Sequence, residues 1–291
     1  GVAYSPTPIG ATPGANWQVS GCLYGRDLPL MARAGINTVR VYGRIPAGET
    51  TFWQALAKSN LFLLAGFPLE PYHDPRASLA PGSDLRARIL RDFREYAEQL
   101  RETRRVLAVV FGNEVASGYS RKFGGTARDF YGLVAEAAAG SPLPVTTAVA
   151  DVTELTDAPG VAFWSLNAVR GITFEGLFEE ARRRTTRPLL ISEFGVDAWD
   201  HNRGVEEAET QALALRNLVR LLQQEAVLGG VWFEWSDEWW RGGADPSRHA
   251  TAGEPRPGFP DGVANGGWFG LFGLTATDAG GLDALRPRAA F

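Results

Sequence analysis

Two glutamates follow two apolar runs in the same manner. Val106-Leu107-Ala108-Val109-Val110-Phe111 ends in Gly112-Asn113-Glu114, and Pro188-Leu189-Leu190-Ile191-Ser192 ends in Glu193-Phe194-Gly195. A carboxylate directly after a buried strand costs desolvation energy unless it is paired or hydrogen-bonded. Its double occurrence with matching flanks therefore points to use. One carboxylic acid can protonate a leaving oxygen while a second carboxylate attacks the neighbouring carbon. That is glycosidic bond cleavage with retention, for which the two groups stand about 5–5.5 Å apart. The acid must have its pKa raised by burial and by its neighbour, and the nucleophile must stay ionised. Arg40, at the end of another apolar run, is suited to hold Glu193 ionised through a charge-assisted hydrogen bond.

The elements that position these groups are visible as non-alternating apolar runs, the pattern of parallel strands buried on both faces. The sequence predicts eight strands: Val2–Tyr4, Ile36–Tyr42, Leu61–Gly66, Val106–Phe111, Pro144–Val149, Val161–Leu166, Leu189–Ser192 and Gly230–Trp235. Amphipathic helices are expected between them. The clearest begins at Asp84 as N-cap, with Leu85, Ile89, Phe93, Tyr96 and Leu100 on one face. A second is expected from about 208 to 225, with Leu213, Leu215, Leu218, Leu221 and Leu222, and shorter ones after Asp27, Thr50, Thr126 and Thr173. Alternating strands and helices in this number predict an α/β fold, a single (β/α)8 TIM barrel forming one domain over residues 1–291. The rival, an open doubly wound sheet, lacks a Gly-x-Gly-x-x-Gly after its first strand. Residues 151–160 are too short for a full helix. Residues from about 236 to 272 form a long loop rich in Gly, Pro and Trp, and a last helix would start near Pro287.

In such a barrel the strand C-termini form the active face. The residues at those ends are Tyr4, Arg40, Tyr42, Glu70, Asn113, Glu114, Asp151, Asn167, Glu193, Trp235 and Asp237. This mouth is polar, carboxylate-rich and aromatic, with neither a phosphate cradle nor a metal-ligand set, so no cofactor and no metal are expected. Asp237, Glu238, Asp245 and Asp261 lack the spacing of a calcium loop. Glu70 and Asp74 are a weaker alternative catalytic pair.

Bulk properties narrow the partners. A net charge of −4 gives no electrostatic reason to expect nucleic acid or a membrane surface. The single cysteine, Cys22, excludes an internal disulfide and reads as a buried inert thiol. No apolar run reaches transmembrane length. No signal peptide is present, and the chain begins at Gly1, which marks a processed or excised chain; a secreted or periplasmic monomer is expected. Nine tryptophans include Trp199, Trp239, Trp240 and Trp268, which either offer faces to sugar rings or pack the long loop.

Gly112-Asn113-Glu114, Ser192-Glu193-Phe194-Gly195 and Asn37-Thr38-Val39-Arg40-Val41-Tyr42 together resemble the (β/α)8 retaining glycoside hydrolases of clan A. Within the clan the sequence is most similar to the family 72 β-1,3-glucanosyltransferases, with some likeness to family 17. The first strand at Gly1–Tyr4, the segment Cys22–Pro29, the segment Gly35–Tyr42 and the pair Phe233-Glu234 carry that likeness. The resemblance implies Glu114 as acid/base, Glu193 as nucleophile, Asn113 on the 2-hydroxyl of the sugar and Arg40 as support for Glu193. Tyr4, Tyr42, Asn167 and Trp235 are expected to bind substrate, a β-glucan oligo- or polysaccharide. Val169 stands where relatives carry a tyrosine that touches the nucleophile, and the disulfide cysteines of the fungal enzymes are missing. That departure raises an alternative, a catalytically silent carbohydrate-binding barrel within a larger polysaccharide-handling protein.

Overall fold

Strands buried on both faces cannot leave an apolar edge in water, and here the edges meet. The computed structural model describes residues 1–13, 21–46, 48–241, 243–277 and 282–291. Eight parallel strands close into a barrel in chain order: Val2–Ala3, Thr38–Arg40, Phe62–Phe67, Val106–Asn113, Val145–Val149, Trp164–Asn167, Leu189–Phe194 and Gly229–Trp232. The eighth pairs with the first through Val2 and Trp232. All eight expected runs are strands, with shifted ends, and the fold is the expected (β/α)8 barrel.

Helices wrap the outside. The longest, Asp84–Arg101, buries Ile89, Leu90, Phe93, Tyr96, Ala97 and Leu100. Its N-cap is Ser83, one residue earlier than expected, because the Ser83 hydroxyl accepts the Arg86 N–H at 3.3 Å. Asp84 instead supplies negative charge to the first turn. The helix Ala208–Gln223 turns Gln211, Ala212, Ala214, Leu218 and Leu222 inward, and Leu213 faces solvent. Thr50–Lys58 and Ala127–Ala139 lie where expected. The first helix, Gly21–Arg33, contains Asp27 rather than following it, and Leu177–Arg184 starts later than Thr173 suggested. Cys22 belongs to the first helix by its backbone; its side chain lies outside the described residues. After the fifth strand there is only a single 3₁₀ turn, Val152–Glu154.

The end of the chain corrects the expectation of a final helix. Phe272–Thr275 and Ala284–Pro287 form an antiparallel hairpin. It packs beside the eighth strand, where Phe272 and Phe291 close on Trp235 with ring centroids 4.7 and 5.9 Å away. Arg288 ties it down through a buried two-pronged ion pair to Asp237, at 2.7 and 2.6 Å. No helix among the described residues is long and apolar enough to cross a membrane.

Candidate active site

Successive residues of a regular strand point to opposite faces, so Asn113 and Glu114 would not normally share a mouth. The ladder between the fourth and fifth strands carries an extra residue. Val110 pairs with Thr146 and Asn113 with Ala148, three steps against two. This bulge re-aims the strand end. Gly112 has φ +74°, and a Cβ there would stand 2.6 Å from Val115 Cγ2, so no larger residue fits. Glu114 itself has φ +52°, an uncommon state for a non-glycine. Its N–H donates to the Ala148 carbonyl at 2.8 Å. Lys122 Nζ donates to the carbonyls of Glu114 and Ser117 and fixes the turn from outside.

The seventh strand carries the same device. Leu166 pairs with Ile191, but Asn167 pairs with Glu193, again one residue extra. Ser192 is thereby turned so that its hydroxyl donates to Asn167 Oδ1 at 2.9 Å. Glu193 enters the cleft.

Four strands then converge on one polar cluster. Arg40, almost completely buried, donates from Nη1 to Glu193 Oε1 at 2.9 Å, to the Ser192 carbonyl at 2.7 Å and to Asn167 Oδ1 at 3.0 Å. Its Nη2 donates to Asn113 Oδ1 at 2.7 Å. Asn167 Nδ2 donates to Glu114 Oε1 at 2.8 Å and to Asn113 Oδ1 at 3.1 Å. Tyr42 donates its hydroxyl to Glu193 Oε1 at 2.8 Å, and its ring lies 4.6 Å from the Arg40 guanidinium carbon. Glu114 and Glu193 thus face one cleft and are linked through Asn167 and Arg40.

Electrostatics follow from burial. Desolvation pushes the Glu193 carboxyl above the usual carboxylate range, against the pull of Arg40. The charge of Glu114 adds to the rise, and the Tyr42 hydrogen bond opposes it. Burial, then the charge of Glu193, holds Tyr42 well above its ordinary value, so it remains a donor.

Six of the eight expected site residues come together here: Arg40, Tyr42, Asn113, Glu114, Asn167 and Glu193. Two do not, and the substrate contacts expected of them are withdrawn. Tyr4 is fully buried and donates to Asp27 of the first helix at 3.0 Å, so it faces the helix layer. Trp235 is fully buried against the terminal hairpin. Asn167 joins the cluster chiefly as a bridge, and Tyr42 touches the carboxylate directly. Val169 lines the cleft, and the hydroxyl on Glu193 comes from Tyr42 on the opposite wall instead.

The cleft has a volume of about 980 Å³ and is completed by Trp240, one of the tryptophans expected to offer a face to sugar or to pack the loop, and by residues the sequence did not assign to the site. Trp240, Glu238 and Arg241 come from the long loop after the eighth strand, with Gly253, Glu254 and Arg256 further along it. Arg241 Nε is paired with Glu238 Oε2. Burial and the charge of Glu238 push Glu234, beside it, well above the usual carboxylate range. The spacing Glu238-x-x-Arg241 was the available signal. The other loop tryptophans pack internally: Trp239, His249, Trp268 and Trp199 form a column, with the His249 ring 3.8 Å from Trp268 at 7°.

The rival acids are otherwise engaged. Asp74 accepts from the Arg76 N–H, Asp261 from His201, and Asp245 from Ser247. Glu70 lines the outer cleft. Among the described residues no group of acids, histidines or cysteines could hold a metal ion.

No protein-family model matches the chain, nor does any curated protein. Solved structures do match in fold. Bacteroides uniformis β-glucuronidase 2 superposes with a TM-score of 0.64 at 17% identity, covering 94% of this chain and 33% of that one. An endo-laminarinase from Formosa gives 0.64 at 13%, covering 94% and 82%. A Rhizomucor miehei β-1,3-glucanosyltransferase, solved with laminaritriose, gives 0.58 at 15%, covering 91% and 97%. The chain spans about a third to a half of the β-glucuronidases it resembles. Its fold is that of TIM-barrel glycoside hydrolases.

Proposed function

We propose that this protein is a retaining β-glycoside hydrolase or transglycosylase acting on β-glucan, with β-1,3 linkages foremost. The observation that carries the reading is the hydrogen-bonded chain Glu114–Asn167–Arg40–Glu193 across one cleft. Arg40 and Tyr42 both engage Glu193 Oε1, which leaves Oε2 to attack the anomeric carbon. Asn167 engages Glu114 Oε1, which leaves Oε2 to deliver a proton to the departing oxygen. The first step forms the glycosyl-Glu193 ester and breaks the glycosidic bond. In the second, Glu114 takes a proton from water or a sugar hydroxyl, whose oxygen displaces Glu193. Asn113 uses its amide oxygen on Arg40 and Asn167 and keeps its NH2 for the sugar 2-hydroxyl.

The β-1,3-glucan assignment is supported by coverage. This chain spans most of the endo-laminarinase and the glucanosyltransferase, but only part of the β-glucuronidases. A polymer substrate suits a secreted or periplasmic monomer. The test is Glu193→Gln, which should abolish turnover of laminari-oligosaccharides in a folded protein; wild-type turnover sinks the assignment. Glu114→Ala should spare activated aryl glycosides more than natural substrates and be rescued by azide. Equal losses on both, without rescue, remove Glu114 from the acid/base role.

A further inference from the structure

Arg241, on the loop after the eighth strand, stands against the cleft beside Trp240, and its surroundings fix it there. The guanidinium carbon lies 4.7 Å from the Trp240 ring and 5.3 Å from the Phe233 ring. Nε is engaged by Glu238, which is itself 1% exposed. Gly266 permits the approach, because its Cβ position is 3.2 Å from Arg241 Cδ. The side chain still keeps 41% of its surface open, and neither Nη1 nor Nη2 donates to any described residue. Arg241 therefore presents a pre-set fork of donors with free ends toward the cleft. It is close enough to Glu193 for its charge to favour the ionised carboxylate.

We propose that Arg241 is a specificity-determining residue: its free Nη donors bind hydroxyl oxygens of an uncharged sugar next to the scissile bond, and its charge, already balanced by Glu238, does not recruit an anionic sugar. The lining supports the neutral class. Five carboxylates, Glu70, Glu114, Glu193, Glu238 and Glu254, face three arginines, Arg40, Arg241 and Arg256. Arg40 and Arg241 are already committed to Glu193 and Glu238. A uronate entering this cleft meets more carboxylates than arginines, and among the described residues only Arg256 of the three lacks a carboxylate partner, its Nη1 donating instead to the Val169 carbonyl at 2.9 Å. Trp240, whose ring lies under Arg241, is held in the same wall.

The inference rests on the glycan-cleaving reading, and binding separates the two. The protein used is the full chain carrying Glu193→Gln, titrated calorimetrically with laminari-oligosaccharides and with oligo-β-glucuronides of equal length. Arg241→Gln should weaken laminari-oligosaccharide binding about tenfold to a hundredfold, as expected for loss of a charged donor. Arg241→Lys keeps the charge opposite Glu238 but loses the fork. If Arg241 serves only to neutralise Glu238, Lys restores binding and the proposal fails; if it reads hydroxyls, Lys does not, while the melting temperature recovers. Tighter binding of glucuronides than of glucans, lost in Arg241→Gln, overturns the neutral class. Unchanged glucan binding in both variants removes Arg241 from recognition and leaves the catalytic pair untouched. Absence of binding to any oligosaccharide overturns both readings.

Discussion

Tyr42→Phe isolates one hydrogen bond on the proposed nucleophile. The ring, its contact with Arg40 and the barrel wall all remain, and only the 2.8 Å donor to Glu193 Oε1 is lost. A hydrogen bond to a charged group is worth about 1.5–3 kcal/mol, and one pKa unit corresponds to about 1.4 kcal/mol. Oε1 is shared with Arg40, which stays in place at 2.9 Å, so the lower end applies. The donor favours the ionised carboxylate. Its removal therefore raises the Glu193 pKa, by about one unit on these magnitudes. Activity requires ionised Glu193 in the free enzyme, so the acid limb of kcat/KM against pH moves upward by the same amount. On that limb the variant is roughly tenfold slower than wild type, and the gap narrows as pH rises. The assay is reducing-end release from laminari-oligosaccharides across pH 3 to 8. A limb that stays in place, or shifts downward, refutes the reasoning. A uniform loss at every pH shows that the Tyr42 hydroxyl serves the sugar instead.

Three further outcomes test the frame. Asn167→Ala removes the bridge between the two glutamates and should cost about 1–3 kcal/mol in urea denaturation, with kcat falling roughly a hundredfold as Glu114 loses its aim; unchanged kcat disproves the bridge. Arg288→Met strands Asp237, itself 2% exposed, and should cost about 3–5 kcal/mol, read as a drop in melting temperature; adding Asp237→Leu should recover most of it. Asp197 is raised by burial to about 7, so the folded protein keeps a proton that the unfolded chain gives up near 3.8. Its contribution to stability is full below that lower value and is lost as pH rises to about 7, up to roughly 4 kcal/mol. Asp237, raised by burial to about 6, acts in the same direction. The melting temperature should fall between pH 5 and pH 8, and less so in Asp197→Asn; equal falls exclude Asp197 as the cause.

The barrel was legible because strands buried on both faces leave continuous apolar runs, and eight such runs are hard to arrange otherwise. Their ends were less so. The fourth strand extends to Asn113 and the seventh to Phe194 because each bulge adds a residue while keeping the ladder. Pairing partners decide a bulge, and a single run does not contain them. Glu114 and Glu193 were legible because an acid after an apolar run is costly. Tyr4 and Trp235 were misplaced for the complementary reason: an aromatic at a strand end satisfies either a sugar or a core, and the terminal hairpin that buries Trp235 has no period of its own. Arg241 lies in a loop whose path is set by contacts far along the chain, such as that with Gly266.

The two bulges also explain how labour divides within the cleft. A regular ladder would send Asn113 and Glu114 to opposite faces, and likewise Ser192 and Glu193. In the seventh strand the extra residue falls at Ser192, next to the carboxylate; in the fourth it precedes Asn113, and Glu114 is re-aimed by its own φ of +52°, so that Asn167 bonds to Ser192 on one side and Glu114 on the other. The relative placement of the two glutamates is therefore written into the hydrogen-bonded barrel wall, the part of the molecule least free to move. Trp240 and Arg241 sit on a loop instead, and loops accept change that strands do not. Substitutions in that loop should accordingly shift which sugar is bound while leaving the Glu114–Asn167–Arg40–Glu193 chain intact. Substitutions at Gly112 or Asn167 should damage the bond-breaking step for every substrate alike.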